Sequence, residues 1–246
     1  RGGWGVGPSG GNGGFVHGYW GHAPGVARRG GAGAAALLAE EADASVRAIG
    51  EFCKSQKIDA WYRAAPQVGI ATAAAQDDSW REHLAGLRRL GHGDEEVELA
   101  PGQVQAICRS PVFRGGTLER TGATVQPARL AFGLRAALLK RGVTIHEHTE
   151  VTAVEQHEKG GVLVKVAGHH HVKASAAVLA VNWRTLAWAP FARELSAASS
   201  HIVLTEPVPD VLAEIGWTGG EALYDCRRML HYFRTTKDGR IAFGWG

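Results

Sequence analysis

Residues 123–155, ATVQPARLAFGLRAALLKRGVTIHEHTEVTAVE, deliver a helix into a strand. Pro127 suits a first helical turn, where its missing N–H has no partner to lose, and Gly142 suits the left-handed position just past a helix end. Between them Leu130, Leu134 and Leu138 recur every four residues, a spacing that predicts one buried helical face. Val143 and Ile145 open a predicted strand, and Val151 and Val154 continue its apolar pattern.

Downstream, Val162, Val164 and Val166 alternate before a turn at Gly168, which predicts a hairpin. The run from Ala176 to Val181 is almost continuously apolar, the mark of a strand covered on both faces. Helix, strand, hairpin and buried strand in that order predict an α/β fold with a β-meander inserted. From His201 onward short alternating strands follow, with a turn at Lys237, Asp238 and Gly239. Upstream, Leu38, Ala42, Ser45, Val46, Ile49, Phe52 and Cys53 form the inner stripe of an amphipathic helix. Residues 60–72 predict a strand pair or a bent strand. Asp77 and Asp78 signal a helix whose buried face is Trp80, Leu84 and Leu87. A short helix is expected after Pro101, with Val104 and Ile107 inward, then a strand over residues 112–118.

The composition excludes several classes. With 246 residues, 45% hydrophobic and 21% charged, the chain can bury a sizeable core. Its net charge of +3 is spread along the chain, so it gives no footprint for nucleic acid or a membrane surface. No apolar run approaches the roughly 20 residues that span a bilayer, and a cytoplasmic location is expected. Cys53, Cys108 and Cys226 are odd in number and widely spaced, which argues against both a disulfide framework and a zinc site.

Residues 7–14, GPSGGNGG, are too rich in glycine for a packed element. Such a run serves either as a flexible linker or as a cradle whose backbone N–H groups approach an anionic ligand, with Ser9 and Asn12 adding side-chain hydrogen bonds. Resemblance decides between them. The segment 8–20, PSGGNGGFVHGYW, is similar to the SGRNGG segment of the D-amino-acid-oxidase-like (DAO) family of FAD-dependent oxidoreductases, in the branch that includes gamma-glutamylputrescine oxidase. Further similar stretches follow in the family's order: residues 113–155, then ASAAVLAVNW at 174–183, HIVLTEPVPDVLAEIGWTGG at 201–220, and HYFRTTKDGRIAFG at 231–244.

That resemblance implies an FAD-binding Rossmann-like domain, incomplete here, interleaved with an α+β substrate domain on a mostly antiparallel sheet. Residues 1–58 and 119–195 would form the first, and residues 59–118 and 196–246 the second. It places Ser9, Gly10, Asn12, Gly13 and Gly14 along the flavin, Val151 beside the adenine, and Ala180 where a buried strand ends against FAD. Gly11 stands where many relatives have arginine, so a charge contact is missing there. The GxGxxG turn and the acidic ribose partner are not in the chain and are expected upstream of Arg1, and a completing C-terminal segment is expected beyond Gly246. A fragment cut at both ends is therefore expected to bind FAD poorly.

The implied chemistry is oxidation of the carbon–nitrogen bond of an amine or amino acid to an imine, with molecular oxygen as the electron acceptor. Such chemistry requires no protein acid or base, so no residue is assigned as catalytic. The alternatives are a dehydrogenase using another acceptor and a truncated, non-catalytic flavoprotein-like domain. His17, Tyr232 and Arg234 are candidate substrate contacts, His17 also being a candidate for covalent flavin attachment. Arg227 and Arg228 are further carboxylate-binding candidates on the last strands, each equally readable as a surface arginine. His169, His170 and His171 suit a solvated hairpin tip better than a metal tract. His146 and His148 share a predicted strand face but lack a third ligand nearby in sequence, and no metal is expected.

Overall fold

In the computed structural model, which describes residues 3–158, 160–189 and 191–246, the predicted helix is present as Pro127–Lys140, with Pro127 in its first turn. The Gln126 side chain accepts the Arg129 backbone N–H at 2.7 Å, and Gly142 takes the left-handed conformation beyond the helix at φ 80°. In chain order the elements are β1 (Phe15–His17), α1 (Ala23–Gly30), α2 (Ala32–Ser55), β2 (Arg63–Ala64), β3 (Gln67–Ile70) and α3 (Arg81–Arg89). There follow β4 (Glu96–Leu99), α4 (Pro101–Ile107), β5 (Gly116–Glu119), β6 (Gly122–Thr124), and the helix already described, α5. The remainder is β7 (Val151–Gln156), β8 (Val162–Val166), β9 (His170–Ala174), β10 (His201–Leu204), α6 (Pro209–Glu214), β11 (Ala222–Asp225), β12 (His231–Thr235) and β13 (Ile241–Trp245).

Seven strands form the main sheet in the order β10-β13-β12-β11-β3-β5-β4. All of its pairings are antiparallel except β11 with β3, so the sheet is mixed but mostly antiparallel. Its register sorts the side chains by face. Val68 stands opposite both Leu118 and Leu223, and Leu223 opposite Phe233. These residues pack with Val104 of α4 and with Leu212 and Trp217 around α6 to form one hydrophobic core. Alternation puts Glu96, Glu119, Gln67, Tyr224, Tyr232 and Arg234 on the opposite face. A second core joins α1, α2 and α3 through Ala23, Ala35, Ala39, Leu84 and Leu87 around Trp20 and Trp80. Two three-stranded sheets complete the fold, β1-β6-β2 beneath the glycine loop and the meander β7-β8-β9.

Several expectations are corrected. Residues 143–149 form no strand, and His148 adopts a positive φ of 55°, so His146 and His148 do not share a strand face. The run from Ala176 to Val181 is neither a strand nor buried, and Val178 is 90% exposed. No strand of the described residues pairs with either segment, so neither has the covering neighbours of a buried strand. Helix α5 buries Pro127 and Ala137 instead of the predicted face: Leu130 and Leu138 are only half-buried and Leu134 is exposed. The strand expected over residues 112–118 begins only at Gly116, with Val112 in an exposed turn, and His170 and His171 lie in β9 so that only His169 is in the hairpin turn. No helix of the described residues is long and apolar enough to cross a membrane.

Candidate functional site

The glycine loop folds back on itself before it enters β1. Asn12 organises it: its amide donates to the carbonyls of Pro8 and Ser9 at 2.9 and 3.2 Å, and its Oδ1 accepts the Gly14 N–H at 2.8 Å. Gly14 has φ 71°, and a Cβ there would meet the Val125 carbonyl at 2.2 Å. A Cβ on Gly13 would meet the Tyr232 ring at 2.8 Å. Only residues without a side chain let the loop lie this close to the polar face of the main sheet. Trp4 anchors the loop's start, its backbone N–H donating to Glu147 at 2.6 Å and its indole to the Ala131 carbonyl at 2.5 Å. These contacts, with Arg135, hold the Glu147 carboxyl below the usual carboxylate range.

Between the loop and the sheet lies a cleft of about 720 Å³, inside the size range of small-molecule sites. Asn12, Gly13, Gly14, His17 and Tyr232, all singled out in the sequence, line it together. Ser9 is exposed on the outer turn with Gly10 beside it, and neither lines the cleft. Arg234 is 5% exposed and sits beneath the loop rather than in the cleft. Its guanidinium donates to the carbonyls of Gly13, Val125 and Thr235. Val151, on the meander, and Ala180, in the exposed run, lie outside the cleft. Arg227 and Arg228 occupy an exposed bend between β11 and β12, where Arg227 pairs with Asp225 at 3.1 Å.

Residues that sequence reasoning missed complete the walls: Phe15, Tyr19, Gln67, Glu119 and Tyr224. The available signal was a carboxylate and an amide at alternate positions of otherwise buried strands. Phe15 and Tyr232 meet edge to face at 5.5 Å, and Phe15 stacks on His17 at 5.6 Å. Desolvation lowers the His17 imidazole below its ordinary pKa, Gln67 partly opposing it. Glu119 is 6% exposed and stands directly across the strand pair from Glu96, itself 5% exposed. Burial first, then the charges of Glu96 and of Asp43, push the Glu119 carboxyl up to about 7. Trp20 donates a backbone N–H to this carboxylate and its indole N–H to Asp43 at 3.1 Å, while His83 meets Glu96 at 2.7 Å. Oε1 of Glu119 and Oδ1 of Asp43 have no hydrogen-bond partner among the described residues.

The donor set suits a planar, partly aromatic group with hydrogen-bonding edges: a wall of bare backbone at Gly13 and Gly14, the rings of Phe15 and Tyr232, and the side chains of Gln67 and His17. Among the described residues, no group of three or more histidine, cysteine, aspartate or glutamate side chains is placed to hold a metal ion.

The family model described as FAD dependent oxidoreductase, DAO, matches residues 1–246. Gamma-glutamylputrescine oxidoreductase of Escherichia coli strain K12 is 25% identical over 207 residues, 80% of this chain and 46% of that protein. The probable oxidoreductase OrdL of Rhizobium meliloti is 26% identical over 212 residues, 84% of this chain and 47% of that one. The chain thus spans about half the length of the curated relatives it matches. Glycine oxidase from Geobacillus kaustophilus superposes with a TM-score of 0.66 at 19% identity, covering 85% of this chain and 55% of that one. Glycine oxidase from Bacillus cereus gives 0.65 at 13% identity, over 98% and 61% of the two chains. These structures share the fold.

Proposed function

Because the chain belongs to the DAO family of FAD dependent oxidoreductases, we propose that it supplies the substrate cleft and part of the cofactor site of an enzyme that oxidises the carbon–nitrogen bond of an amine or amino acid to an imine. The family is FAD-dependent, and FAD, when bound, supplies the two-electron acceptor such a reaction needs. The single observation that carries the reading is the meeting of the glycine loop with the polar sheet face at one aromatic-walled cleft.

In this proposal Asn12, Gly13 and Gly14 hold the cofactor against the loop, and Tyr232 and Phe15 exclude water from the reacting carbon. Arg234 fixes the loop from behind, giving three of its five N–H donors to backbone carbonyls. Because Arg234 does not line this cleft, the proposal gives it the loop and leaves the substrate to other residues. His17 and Tyr232 are retained as substrate contacts, and molecular oxygen is proposed as the final electron acceptor. We assign residues 1–58 and 119–195 to the cofactor side and residues 59–118 and 196–246 to the substrate side. The main sheet supports this division, because nearly all of its residues come from the second set.

Purification of the full-length protein tests the reading. A yellow protein that releases peroxide when given an amine or amino acid is the expected result. A colourless full-length protein refutes it. Bleaching of the yellow colour by substrate without oxygen uptake moves the assignment to a dehydrogenase.

A further inference from the structure

We propose that a cavity on the far side of the glycine loop is a second binding site, separate from the substrate cleft, and that it takes a small organic carboxylate whose head group meets Arg234. The site does not depend on the oxidoreductase reading.

The cavity, of about 580 Å³, is formed by the end of α2, the segment leading into β2 and the end of β12, and it shares no lining residue with the cleft. Arg234 brings its terminal nitrogens to this wall. Nη1 donates to the carbonyl of Thr235, itself a lining residue, and Nη2 to that of Val125, next to the lining residue Thr124, whereas Nε donates to Gly13 on the cleft side. Each terminal nitrogen carries two N–H groups, so one on Nη1 and one on Nη2 remain without an acceptor among the described residues.

Arg234 is also a buried cation without a counter-charge. It is 5% exposed and forms no ion pair among the described residues, and desolvation lowers its pKa with no carboxylate acting against it. Buried charges are ordinarily paired, and a ligand carboxylate would supply the missing partner with the two-oxygen geometry that a guanidinium favours.

The rest of the wall carries the same sign. Lys54, Arg63 and Lys237 join Arg234 in the lining, and Lys54 has no ion pair among the described residues. Against them stands the carboxylate of Asp59, which already meets Arg129 at 3.0 Å and Lys237 at 3.6 Å. An anion entering here is therefore favoured over a cation. Ile58, Ala60 and Trp61 add apolar surface to the wall, which suits a hydrocarbon body and selects an organic acid over a bare inorganic anion. Trp61 holds a left-handed backbone at φ 54°, with the Arg129 guanidinium over its ring at 4.6 Å. Bulky residues rarely adopt that conformation, and those that do gather at ligand sites.

Isothermal titration calorimetry on the full-length protein compares hexanoate with 1-hexanol, which lacks the charge, and with inorganic phosphate, which lacks the hydrocarbon body. Hexanoate is expected to bind at one site, at least tenfold more tightly than either. Lys54→Glu combined with Lys237→Glu, both at exposed positions, is expected to weaken hexanoate about tenfold or more. Lys140→Glu combined with Lys173→Glu makes the same change in net charge on α5 and β9, outside the cavity, and is expected to leave the affinity within about twofold. If the first pair fails to fold, Lys54→Ala takes its place, with a severalfold loss expected. Equal weakening by the two pairs, an affinity that the cavity substitutions leave unchanged, tighter binding of 1-hexanol or phosphate than of hexanoate, or no binding of hexanoate overturns the proposal.

Discussion

The guanidinium of Arg234 on β12 donates to the carbonyl of Gly13 in the opening loop, across 221 residues of sequence. The same group reaches the Val125 carbonyl at 2.9 Å, so one buried side chain ties the glycine loop, the entry to α5 and the main sheet together. Burial lowers the Arg234 pKa, yet an arginine so hydrogen-bonded stays charged.

Arg234→Lys should destabilise the chain by about 2–4 kcal/mol, because a single ammonium cannot reproduce the planar fork and buried carbonyls lose their donor. Thermal denaturation measures the loss, and limited proteolysis should show new cleavage within residues 7–12. An unchanged melting temperature would show that the loop is held by other contacts.

Gly14→Ala places a Cβ at φ 71° and against the Val125 carbonyl. Backbone strain of about 1–3 kcal/mol is expected even after the neighbours shift. Denaturant titration should report a lower midpoint, with flavin occupancy of the full-length protein falling in parallel.

Glu119 gives stability a defined pH dependence. Its carboxyl is protonated more readily in the fold, at about 7, than at the ordinary value of 4.5, so the folded state binds more protons between those limits. The stabilisation is fully present below about 4.5 and is lost as pH rises through 7, amounting to a change on the order of 3 kcal/mol. Glu119→Gln should flatten this slope in melts taken from pH 5 to pH 8. A slope that persists in the variant would assign the effect to other groups.

Leu223 is fully buried at the centre of the sheet, between Val68 and Phe233. Leu223→Ala should cost about 2–5 kcal/mol through lost contact and a residual cavity. A loss below 1 kcal/mol, again by denaturant titration, would mean that the core collapses to fill the space.

The three thiols should react slowly in the native protein. Burial raises the pKa of each, that of Cys108 to about 11, and so depletes the reactive thiolate. Cys226, partly exposed, should be the first to react with Ellman's reagent, and Cys53 and Cys108 should react only on unfolding.

What the sequence by itself determined is local. The ends of α5 follow from Pro127 and Gly142, because each residue's backbone restriction or freedom acts at its own position. The inner face of α3 and the short strands after His201 follow from periodicity, and the glycine loop was legible because glycine density is a property of the chain alone. The tertiary structure decided everything that depends on a partner. Val143, Ile145 and residues 176–181 have strand-like composition, but among the described residues no strand pairs with them, so composition alone did not make them strands. The sequence could not show that Arg234 ties the glycine loop to the sheet, because the carbonyls of Gly13 and Val125 reach it only in the fold. Glu119 looked like an ordinary strand charge until register set Glu96 opposite it and α2 brought Asp43 to the same buried spot beside Gly18. Spacing along a chain records which faces can be buried, whereas the charge state of a carboxylate or the task of a guanidinium depends on atoms from distant segments that only folding brings within a few ångströms.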